Sequence, residues 1–321
     1  MIKKSKKKVF FRADAGGTIG YGHFIRSLSL ADMLKDDFEC VFYTQSPTEY
    51  QVNECSKVCK LVELPSDDTR FWLFLNELKG DEIVVLDNYF YTTDYQQAIK
   101  DKGCKLVCID DPHGIHYVCD VILSHGNGIP SDFDVEPYTR LCLGIDWAML
   151  RKPFRRPVDW NHQRNNDIVV NFGGADPFHI TELIIKLLLQ LDLNYNIKVI
   201  LGDKVYLSDE CRGQVEVLKN LNAEQMAQLF DDSAFGIFAA STVCLEGQSR
   251  GLPMIVGYFV ENQEKYYQRT KNSGNFATLD YLQDTTLDNL NRAIEDVPNI
   301  KRLRINPEGI QARYVKLFKS L

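Results

Sequence analysis

Continuous apolar runs that alternate with amphipathic segments restrict the fold of this chain more than any other feature of its sequence. The run Ile83–Leu86, within "DEIVVLDNY", contains no polar residue, so a strand there must be covered on both faces. An earlier apolar run, in "KVFFRAD", is followed by apolar residues at helical spacing in "HFIRSLSLADMLKDD". This alternation continues along the chain and predicts an α/β fold with parallel sheets and helices on both sheet faces.

The alternating pattern starts twice. A proline-bearing, basic and aromatic stretch from Leu150 to Asn166 separates two similar halves and is typical of an interdomain linker. A chain of 321 residues is long enough for two domains. We expect a first domain at residues 1–152 and a second at 165–321. Two such halves facing each other would form a ligand cleft at the carboxyl ends of their strands.

Composition excludes several classes of partner. The net charge of −7 and the pI near 5.5 argue against a general binder of nucleic acids or anionic membranes. Nine cysteines without a CxxC pair are typical of reduced thiols in a cytoplasm. The basic start is followed by polar "RADAGG", which is unlike a secretory signal, and no apolar stretch reaches the length of a membrane span. We therefore expect a soluble, cytoplasmic protein.

The first candidate site is "IGYGH", where a glycine-bearing turn becomes a helix. Gly20 and Gly22 would let the backbone approach a ligand closely. The positive end of the helix dipole disfavours a charged imidazolium, so His23 is expected to stay neutral and able to accept a proton. The alternative is a simple glycine turn in which His23 only caps the helix.

Two further candidates lie in the second half. Gly173 and Gly174 follow a strand and could expose backbone N–H groups to a phosphate, or serve only as turn residues. Ser241 and Thr242 open a helix, and Glu246 follows one turn later. This pattern fits either a capping box or a diphosphate site in which the glutamate binds the ribose hydroxyls.

Two acidic segments could in principle hold a metal ion. "DDPHGIH" contains Asp110, Asp111, His113 and His116, and "SDFD" contains an Asp-x-Asp pair. The first spacing fits no standard zinc signature, and the second is of the kind found in metal-dependent sugar transferases. A solvated polar loop is the more usual setting for both. We therefore expect no metal and no other cofactor.

A series of motifs, taken in order, resembles the PseG/SpsG-like nucleotide-sugar hydrolases of the pseudaminic acid pathway. The first half contains F-R-x-D, I-G-x-G-H-x-x-R, an Asp-x-Tyr strand end and a G-x-x-aromatic-A segment, at Phe11, Arg12, Asp14, Ile19, Gly20, Gly22, His23, Arg26, Asp87, Tyr89, Gly144, Trp147 and Ala148. The second half contains G-G-x-D, a Ser-Thr-x-x-x-Glu segment and N-Q-E, at Gly173, Gly174, Asp176, Ser241, Thr242, Glu246, Asn262, Gln263 and Glu264.

The resemblance implies a fold, a reaction and a set of site residues. It implies two Rossmann-like domains facing a cleft, as in GT-B glycosyltransferases, and hydrolysis of UDP-2,4-diacetamido-2,4,6-trideoxy-β-L-altropyranose without a cofactor. It implies His23 as the catalytic base. The expected substrate-binding residues are Gly20, Gly22, Asp14, Tyr89, Asn262 and Gln263. The expected UDP-binding residues are Gly173, Gly174, Ser241, Thr242, Val243 and Glu246.

The chain departs from the family pattern at three places in its first half. Asn88 replaces a histidine, Gly16-Gly17 replaces a serine-rich turn, and Trp147 replaces a tyrosine. The first half is expected to hold the sugar, so these departures affect the sugar more than the nucleotide. The alternatives are a GT-B glycosyltransferase that uses a UDP-sugar donor and a nucleotide-sugar-binding protein without catalysis.

Overall fold

The computed structural model describes residues 6–15, 21–109, 114–126, 128–173, 176–191, 193–202, 205–302 and 307–321. Gly16, Gly17, Gly20, Gly174, Asp110, Asp111 and His113 lie outside the described residues. The chain forms two compact units. The first comprises residues 1–151 and 308–321, and the second comprises residues 152–307.

The first unit is built on a seven-stranded sheet. Its elements are β1 (Lys8–Ala13), α1 (Gly22–Leu34), β2 (Glu39–Gln45), α2 (Glu49–Ser56), β3 (Lys60–Leu64), α3 (Thr69–Glu77), β4 (Ile83–Asp87), α4 (Thr93–Asp101), β5 (Lys105–Ile109), β6 (His116–Tyr117), β7 (Val121–Ser124), β8 (Asp134–Val135) and β9 (Arg140–Leu143). The strand order is β3-β2-β1-β4-β5-β7-β9, and β6 pairs with β8 separately. All of these pairings are parallel.

The second unit repeats this plan with six strands. Its elements are β10 (Asp167–Asn171), α5 (Ile180–Gln190), β11 (Asn196–Leu201), α6 (Asp209–Arg212), β12 (Glu216–Lys219), α7 (Ala223–Asp232), β13 (Phe235–Ala239), α8 (Thr242–Ser249), β14 (Met254–Tyr258), α9 (Glu261–Thr270), β15 (Ala277–Tyr281) and α10 (Leu287–Asp296), and the chain ends with α11 (Pro307–Lys319). The strand order is β12-β11-β10-β13-β14-β15, and the pairings are parallel. The expected α/β fold with parallel sheets is therefore confirmed in both units.

The central strands are apolar because helices cover both of their faces. Every residue of β4 and of β13 is buried. Burying one large aliphatic side chain contributes about 1.5–3 kcal/mol, so such strands hold the centre of each sheet. The polar residues of the candidate sites come directly after these strands.

The expected domain boundaries are wrong at two places. Most of the stretch read as a linker lies inside the second unit, where Lys152–Arg155 form a 3₁₀ turn and Phe154 is fully buried against the ring of Phe230. The closing helix α11 belongs to the first unit, since the Tyr314 hydroxyl donates to the Trp147 carbonyl at 2.5 Å. Its Phe318 ring also packs against Phe38, with 6.1 Å between the ring centroids. An amphipathic helix packs on whichever surface completes its apolar face, and sequence order does not determine which surface that is.

Within the described part of the chain, no helix has both the length and the apolar character needed to cross a membrane.

Candidate active site

The candidate active site lies in the first unit, where β1 and β4 end side by side. Ala13, the last residue of β1, pairs with Asp87, the last residue of β4. β1 is flanked by β2 and β4, so the chain leaves the sheet centre in both directions at this point. Such a switch point is where open α/β sheets place their ligand crevice. The helix that follows β1 is α1, and its second residue is His23.

His23 contacts Asp87 across this switch point. His23 Nδ1 lies 2.7 Å from Asp87 Oδ1, and both side chains are nearly or fully buried. The helix begins at Gly22, and its N-cap position is occupied by Tyr21 without a side-chain cap. His23 is therefore not the helix-capping residue that the alternative interpretation required.

The Asp87 carboxylate is the centre of a buried polar cluster. It accepts hydrogen bonds from Arg26 Nε at 2.8 Å, from Arg26 Nη2 at 2.6 Å and from the Ser27 hydroxyl at 2.8 Å. Burial alone would raise the pKa of Asp87, but Arg26 and His23 outweigh it and hold that pKa well below its usual range. Asp87 is therefore an anion that can only accept hydrogen bonds.

This anion determines which nitrogen of neutral His23 carries the proton. A carboxylate has no proton to donate, so the 2.7 Å contact with Asp87 favours the tautomer with the hydrogen on Nδ1. Arg26 Nη2 also lies 3.1 Å from this nitrogen, and it donates to Asp87 Oδ1 at the shorter distance of 2.6 Å. The second nitrogen, Nε2, then keeps its lone pair. A histidine held in this way is a base whose positive charge, once formed, lies next to a carboxylate.

Tyr89 lies beside this histidine and faces solvent. The two rings are 4.6 Å apart at an angle of 83°, and Tyr89 is 46% exposed. Tyr89 is therefore not a core aromatic at the end of its strand. Gly22 is also exposed, and a Cβ at its position would meet no heavy atom within 4 Å. These residues leave room on the open side of His23.

Asp14 does not have the exposed position expected of a substrate ligand. Its side chain is fully buried, and its carboxylate is bound by the Arg12 guanidinium and by the Gln45 backbone N–H at 2.8 Å. The side chain is enclosed where β1 and β2 end, so its carboxylate is not exposed to contact a substrate directly, contrary to what the resemblance led us to expect. The Arg12–Asp14 ion pair supports the residues that follow β1.

Asn88 fastens the end of β4 to the end of β1. Its Oδ1 accepts a hydrogen bond from the Asp14 backbone N–H at 2.7 Å, and its Nδ2 donates to the Asp14 carbonyl at 3.3 Å. This departure from the family pattern therefore has a structural role next to the candidate base. Trp147, another departure, packs against Tyr314 of α11, with 5.3 Å between the rings.

The glycine turn of the second unit is open, but the helix after it is already capped. Gly173 is exposed, has a φ of +93°, and a Cβ there would meet nothing within 4 Å. Its N–H donates to the side chain of Asn171 at 2.8 Å. Asp176 accepts from the N–H groups of Ile180 and Thr181 at 2.8 and 2.9 Å. The first turn of α5 is thus bound by a protein carboxylate, which leaves little positive potential there for a phosphate.

The first turn of α8 has no such carboxylate cap. Ser241 occupies the N-cap position, is exposed, and makes no side-chain capping hydrogen bond. Thr242 and Val243 are partly exposed in the first turn, and Glu246 is buried one turn later. The capping box offered as the alternative is therefore absent. The free N–H groups and the dipole of an uncapped helix start favour an anion.

The N-Q-E segment of the second unit lies in the first turn of α9. The Gln263 side-chain oxygen accepts from the Phe259 backbone N–H at 3.1 Å, which fixes the turn after β14. Asn262 is the second residue of this helix. The two residues follow the carboxyl end of β14, the strand next to β13. They therefore lie at the same sheet edge as Ser241.

The described residues of the two candidate metal segments form ion pairs or hydrogen bonds with nearby protein groups. His116 pairs with Asp134 at 3.1 Å and with Glu136 at 3.2 Å, and these contacts raise its pKa. Asp132 accepts from the Ile129 backbone N–H at 2.7 Å. No group of three or more potential metal ligands is found among the described residues. Both acids of the Asp-x-Asp pair thus have local structural partners.

The functional residues that sequence reasoning did not assign are Asp87, Arg26 and Ser27. Both Asp87 and Arg26 occur in the motifs, but no role was expected for either. The available signal is a charged residue that ends an entirely apolar strand, because such a charge needs a buried partner. The partners His23 and Arg26 are about sixty residues away in sequence, so only the strand order brings them together.

Comparisons with known proteins agree with the motif series. No family model matches the chain. The chain is 28% identical over 174 residues to a Campylobacter jejuni protein named UDP-2,4-diacetamido-2,4,6-trideoxy-beta-L-altropyranose hydrolase, covering 53% of this chain and 61% of that protein. It is 26% identical over 270 residues to the spore coat polysaccharide biosynthesis protein SpsG of Bacillus subtilis, covering 78% of this chain and 77% of that protein. The chain is PseG/SpsG-like.

Two further comparisons concern length and fold. An uncharacterized protein of Methanocaldococcus jannaschii is 25% identical over 281 residues, which is 81% of this chain but 57% of that protein, so the chain spans only about three fifths of two of these relatives. A glycotransferase of kitacinnamycin matches the structure with a TM-score of 0.65, 15% identity, and 98% and 99% coverage of the two chains. Acinetobacter baumannii MurG matches with a TM-score of 0.64, 12% identity, and 98% and 100% coverage. The expected GT-B fold of this PseG/SpsG-like chain is confirmed.

Proposed function

We propose that this PseG/SpsG-like protein is a hydrolase that cleaves the anomeric C–O bond of a UDP-linked amino sugar. The observation that carries the proposal is the buried contact between His23 and Asp87, which leaves Nε2 of neutral His23 as a proton acceptor beside the exposed Tyr89. The Campylobacter relative supports it, since that protein is named as a hydrolase of a UDP-linked diacetamido sugar.

In the proposed reaction His23 activates a water molecule. Nε2 takes a proton from water while the water oxygen bonds to the anomeric carbon. The bond from that carbon to the phosphate oxygen breaks, and UDP leaves with the bonding electron pair. His23 becomes an imidazolium beside the Asp87 carboxylate, and general-base assistance of this kind is worth about 10²- to 10⁴-fold.

The second unit supplies the nucleotide contacts in this proposal. The uncapped first turn of α8 at Ser241, Thr242 and Val243 would bind the diphosphate and stabilise the charge that it gains on leaving, and the open turn at Gly173 would leave room for it. Glu246 would accept hydrogen bonds from the ribose hydroxyls, as a carboxylate does in dinucleotide sites. Gly22 and Tyr89 of the first unit would contact the sugar, as would Asn262 and Gln263.

The proposed substrate is UDP-2,4-diacetamido-2,4,6-trideoxy-β-L-altropyranose, within pseudaminic acid biosynthesis for a surface polysaccharide. The name of the Campylobacter relative supports this substrate, and the name of the Bacillus relative supports a role in polysaccharide biosynthesis. We further propose a cytoplasmic site of action, since all nine cysteines are free thiols.

A second candidate function is that of a glycosyltransferase with a UDP-sugar donor. Solved structures with a similar fold include a glycotransferase and MurG, which supports this candidate. The same histidine could take a proton from an acceptor hydroxyl in place of water. A nucleotide-sugar-binding protein without catalysis would have no use for an oriented base.

The deciding experiment incubates the protein with UDP-sugars, without acceptor, in ¹⁸O-water. A hydrolase releases UDP and free sugar with the label on the anomeric oxygen and none in UDP. Label in UDP or in a sugar phosphate would mean attack at phosphorus, which contradicts the proposed role of His23. Release of sugar only after an acceptor is added would favour the transferase.

The role of His23 is tested by His23→Ala, with His116→Asn as the control. We expect the first variant to lose turnover and keep its UDP affinity, because the base and the nucleotide residues belong to different units. Among the described residues, the ion pairs of His116 are those with Asp134 and Glu136, so its variant should keep turnover. Near-normal kcat in His23→Ala would overturn the mechanism.

A further inference from the structure

A pocket of the second unit lies at the sheet edge opposite to Gly173 and Ser241. Its volume is about 280 Å³, and all of its lining residues except Arg302 precede β10, β13 and β14 or end the helices before them. Arg302 follows α10. The arginines among them are Arg156, Arg164, Arg250 and Arg302. We call this cavity, with Trp160, the arginine pocket. It lies at the amino ends of the strands, whereas the proposed nucleotide contacts lie at the carboxyl ends.

Two of the four arginines are neutralised by carboxylates. Arg250 binds Asp231 through two hydrogen bonds of 2.8 and 2.9 Å. Arg156, which is exposed, binds Glu224 at 2.6 Å. Arg250 also donates to the Arg156 carbonyl at 2.7 Å, which joins this part of the pocket wall together.

The other two arginines have no carboxylate partner among the ion pairs of the described residues. Arg164 donates to the carbonyl oxygens of Phe230, Ser233 and Arg250, which orient the guanidinium without neutralising it. Burial and the nearby Arg302 and Arg250 together lower the pKa of Arg164 to about 10, against the opposite effect of Asp231 and Asp232. Arg302 is exposed at the pocket edge. The pocket lining carries four arginines and two carboxylates, those of Asp159 and Asp231, which is an excess of positive charge in a protein whose net charge is −7.

Trp160 supplies an aromatic wall to the same pocket. Gly251 has a φ of +63°, and a Cβ at its position would lie 2.6 Å from the Trp160 ring. The ring therefore rests on a backbone position that only glycine leaves open. Because this contact holds the indole in place among the guanidinium groups, its fluorescence would report an anion bound beside it.

We propose that the arginine pocket is a binding site for a small phosphate-bearing molecule, held by Arg164 and Arg302 beside the ring of Trp160. Guanidinium groups bind phosphate oxygens through paired, charge-assisted hydrogen bonds. The cavity volume suits a molecule the size of a pyrophosphate or a nucleoside monophosphate. This site is separate from the nucleotide contacts of the proposed function and does not depend on that function.

The test follows tryptophan emission of the full chain during titration with sodium pyrophosphate and, separately, with uridine monophosphate. We expect a saturable change beyond that given by sodium chloride at equal ionic strength, and we expect Trp160→Phe to lose it. A response to pyrophosphate alone identifies an inorganic phosphate ligand, and a tighter response to the nucleotide identifies stacking on Trp160.

Arg302→Gln is the decisive variant, because Arg302 is exposed and its replacement leaves the fold intact. It should raise the dissociation constant by about tenfold or more, as expected when a hydrogen bond between charged groups is lost. The matched control is Arg212→Gln, because Arg212 is an exposed arginine of the same unit outside the pocket. This substitution should change the dissociation constant by less than about twofold. An emission change equal to that with sodium chloride, or equal behaviour of the two variants, would overturn the proposal.

Discussion

Replacing Asp87 by asparagine is the change that most directly tests how the site works. The asparagine has nearly the same shape, but its amide group is neutral and can donate hydrogen bonds. Facing His23 Nδ1, an amide N–H would favour the tautomer with the proton on Nε2. The nitrogen that we propose as the base would then have no free lone pair.

The size of the expected effect follows from the charge that is removed. Two unit charges about 4 Å apart interact by about 4 kcal/mol at the effective dielectric constant of a partly buried site. Loss of that stabilisation from the imidazolium corresponds to about 10³-fold in rate. The equivalent substitution in a Ser-His-Asp triad lowers kcat by about 10⁴-fold. We therefore expect Asp87→Asn to lower kcat by about 10³- to 10⁴-fold.

The assay is UDP release under saturating substrate, together with calorimetry of UDP binding. Asp120→Asn is the matched control, because Asp120 is a partly buried carboxylate of the same unit that pairs with Lys100 at 2.6 Å and does not contact His23. UDP affinity should stay within about twofold of wild type in both variants, since a change of less than about 0.5 kcal/mol is typical of distant substitutions. If Asp87→Asn keeps a kcat within about threefold of wild type while His23→Ala is inactive, the tautomer argument is refuted.

The same substitution changes the dependence of stability on pH. The pKa of Asp87 is depressed in the folded protein, so its contribution to the free energy of unfolding is present above the unfolded pKa of about 3.9 and is lost as the pH falls through the folded pKa. Urea unfolding below pH 4 should therefore show a steeper loss of stability in wild type than in Asp87→Asn. Parallel curves would mean that Asp87 is not the paired anion described here.

Three further expectations concern the nucleotide, metals and the end of β1. Glu246→Ala should weaken UDP binding by about 1–3 kcal/mol in calorimetry, and unchanged affinity would remove Glu246 from the ribose site. Turnover should survive EDTA, since helix N–H groups would stabilise the leaving diphosphate; loss of turnover that Mg²⁺ or Mn²⁺ restores would contradict this. Asn88→Ala breaks both hydrogen bonds to the Asp14 backbone and should lower the free energy of unfolding by about 1–3 kcal/mol in urea, whereas a change under about 0.5 kcal/mol would assign Asn88 no structural role.

Hydrophobic patterning predicted the elements that lie at the centres of the two sheets. β4 and β13 are buried on both faces and therefore read as unbroken apolar runs. Strands near the sheet edges were harder to recognise. β3 has only one buried residue among five, and β15 alternates between buried and exposed positions. A half-exposed strand five residues long carries too few apolar positions to stand out from a loop.

The candidate site was predicted in part, because sequence shows which residues end a strand but not where their side chains point. His23 and Tyr89 follow the carboxyl ends of β1 and β4, which the patterning of these strands indicated. Asp14 also follows a strand, yet its carboxylate turns inward to Arg12 and the Gln45 backbone, which only the pairing of β1 with β2 brings close. The packing of α11 on the first unit depends in the same way on contacts across the length of the chain.

The contacts of α1 favour a catalytic histidine over a merely structural one. Arg26 and Ser27 bind the Asp87 carboxylate one turn after His23, so the helix is attached to the end of β4 at three positions. A carboxylate paired with Arg26 would already hold the helix to the sheet, and a third contact through an imidazole adds little to that attachment. What the third contact does fix is the orientation and the tautomer of the ring. A base in the first turn of a helix that also contacts the last residue of a strand is positioned more precisely than a base on a loop. Proton transfer requires this precision.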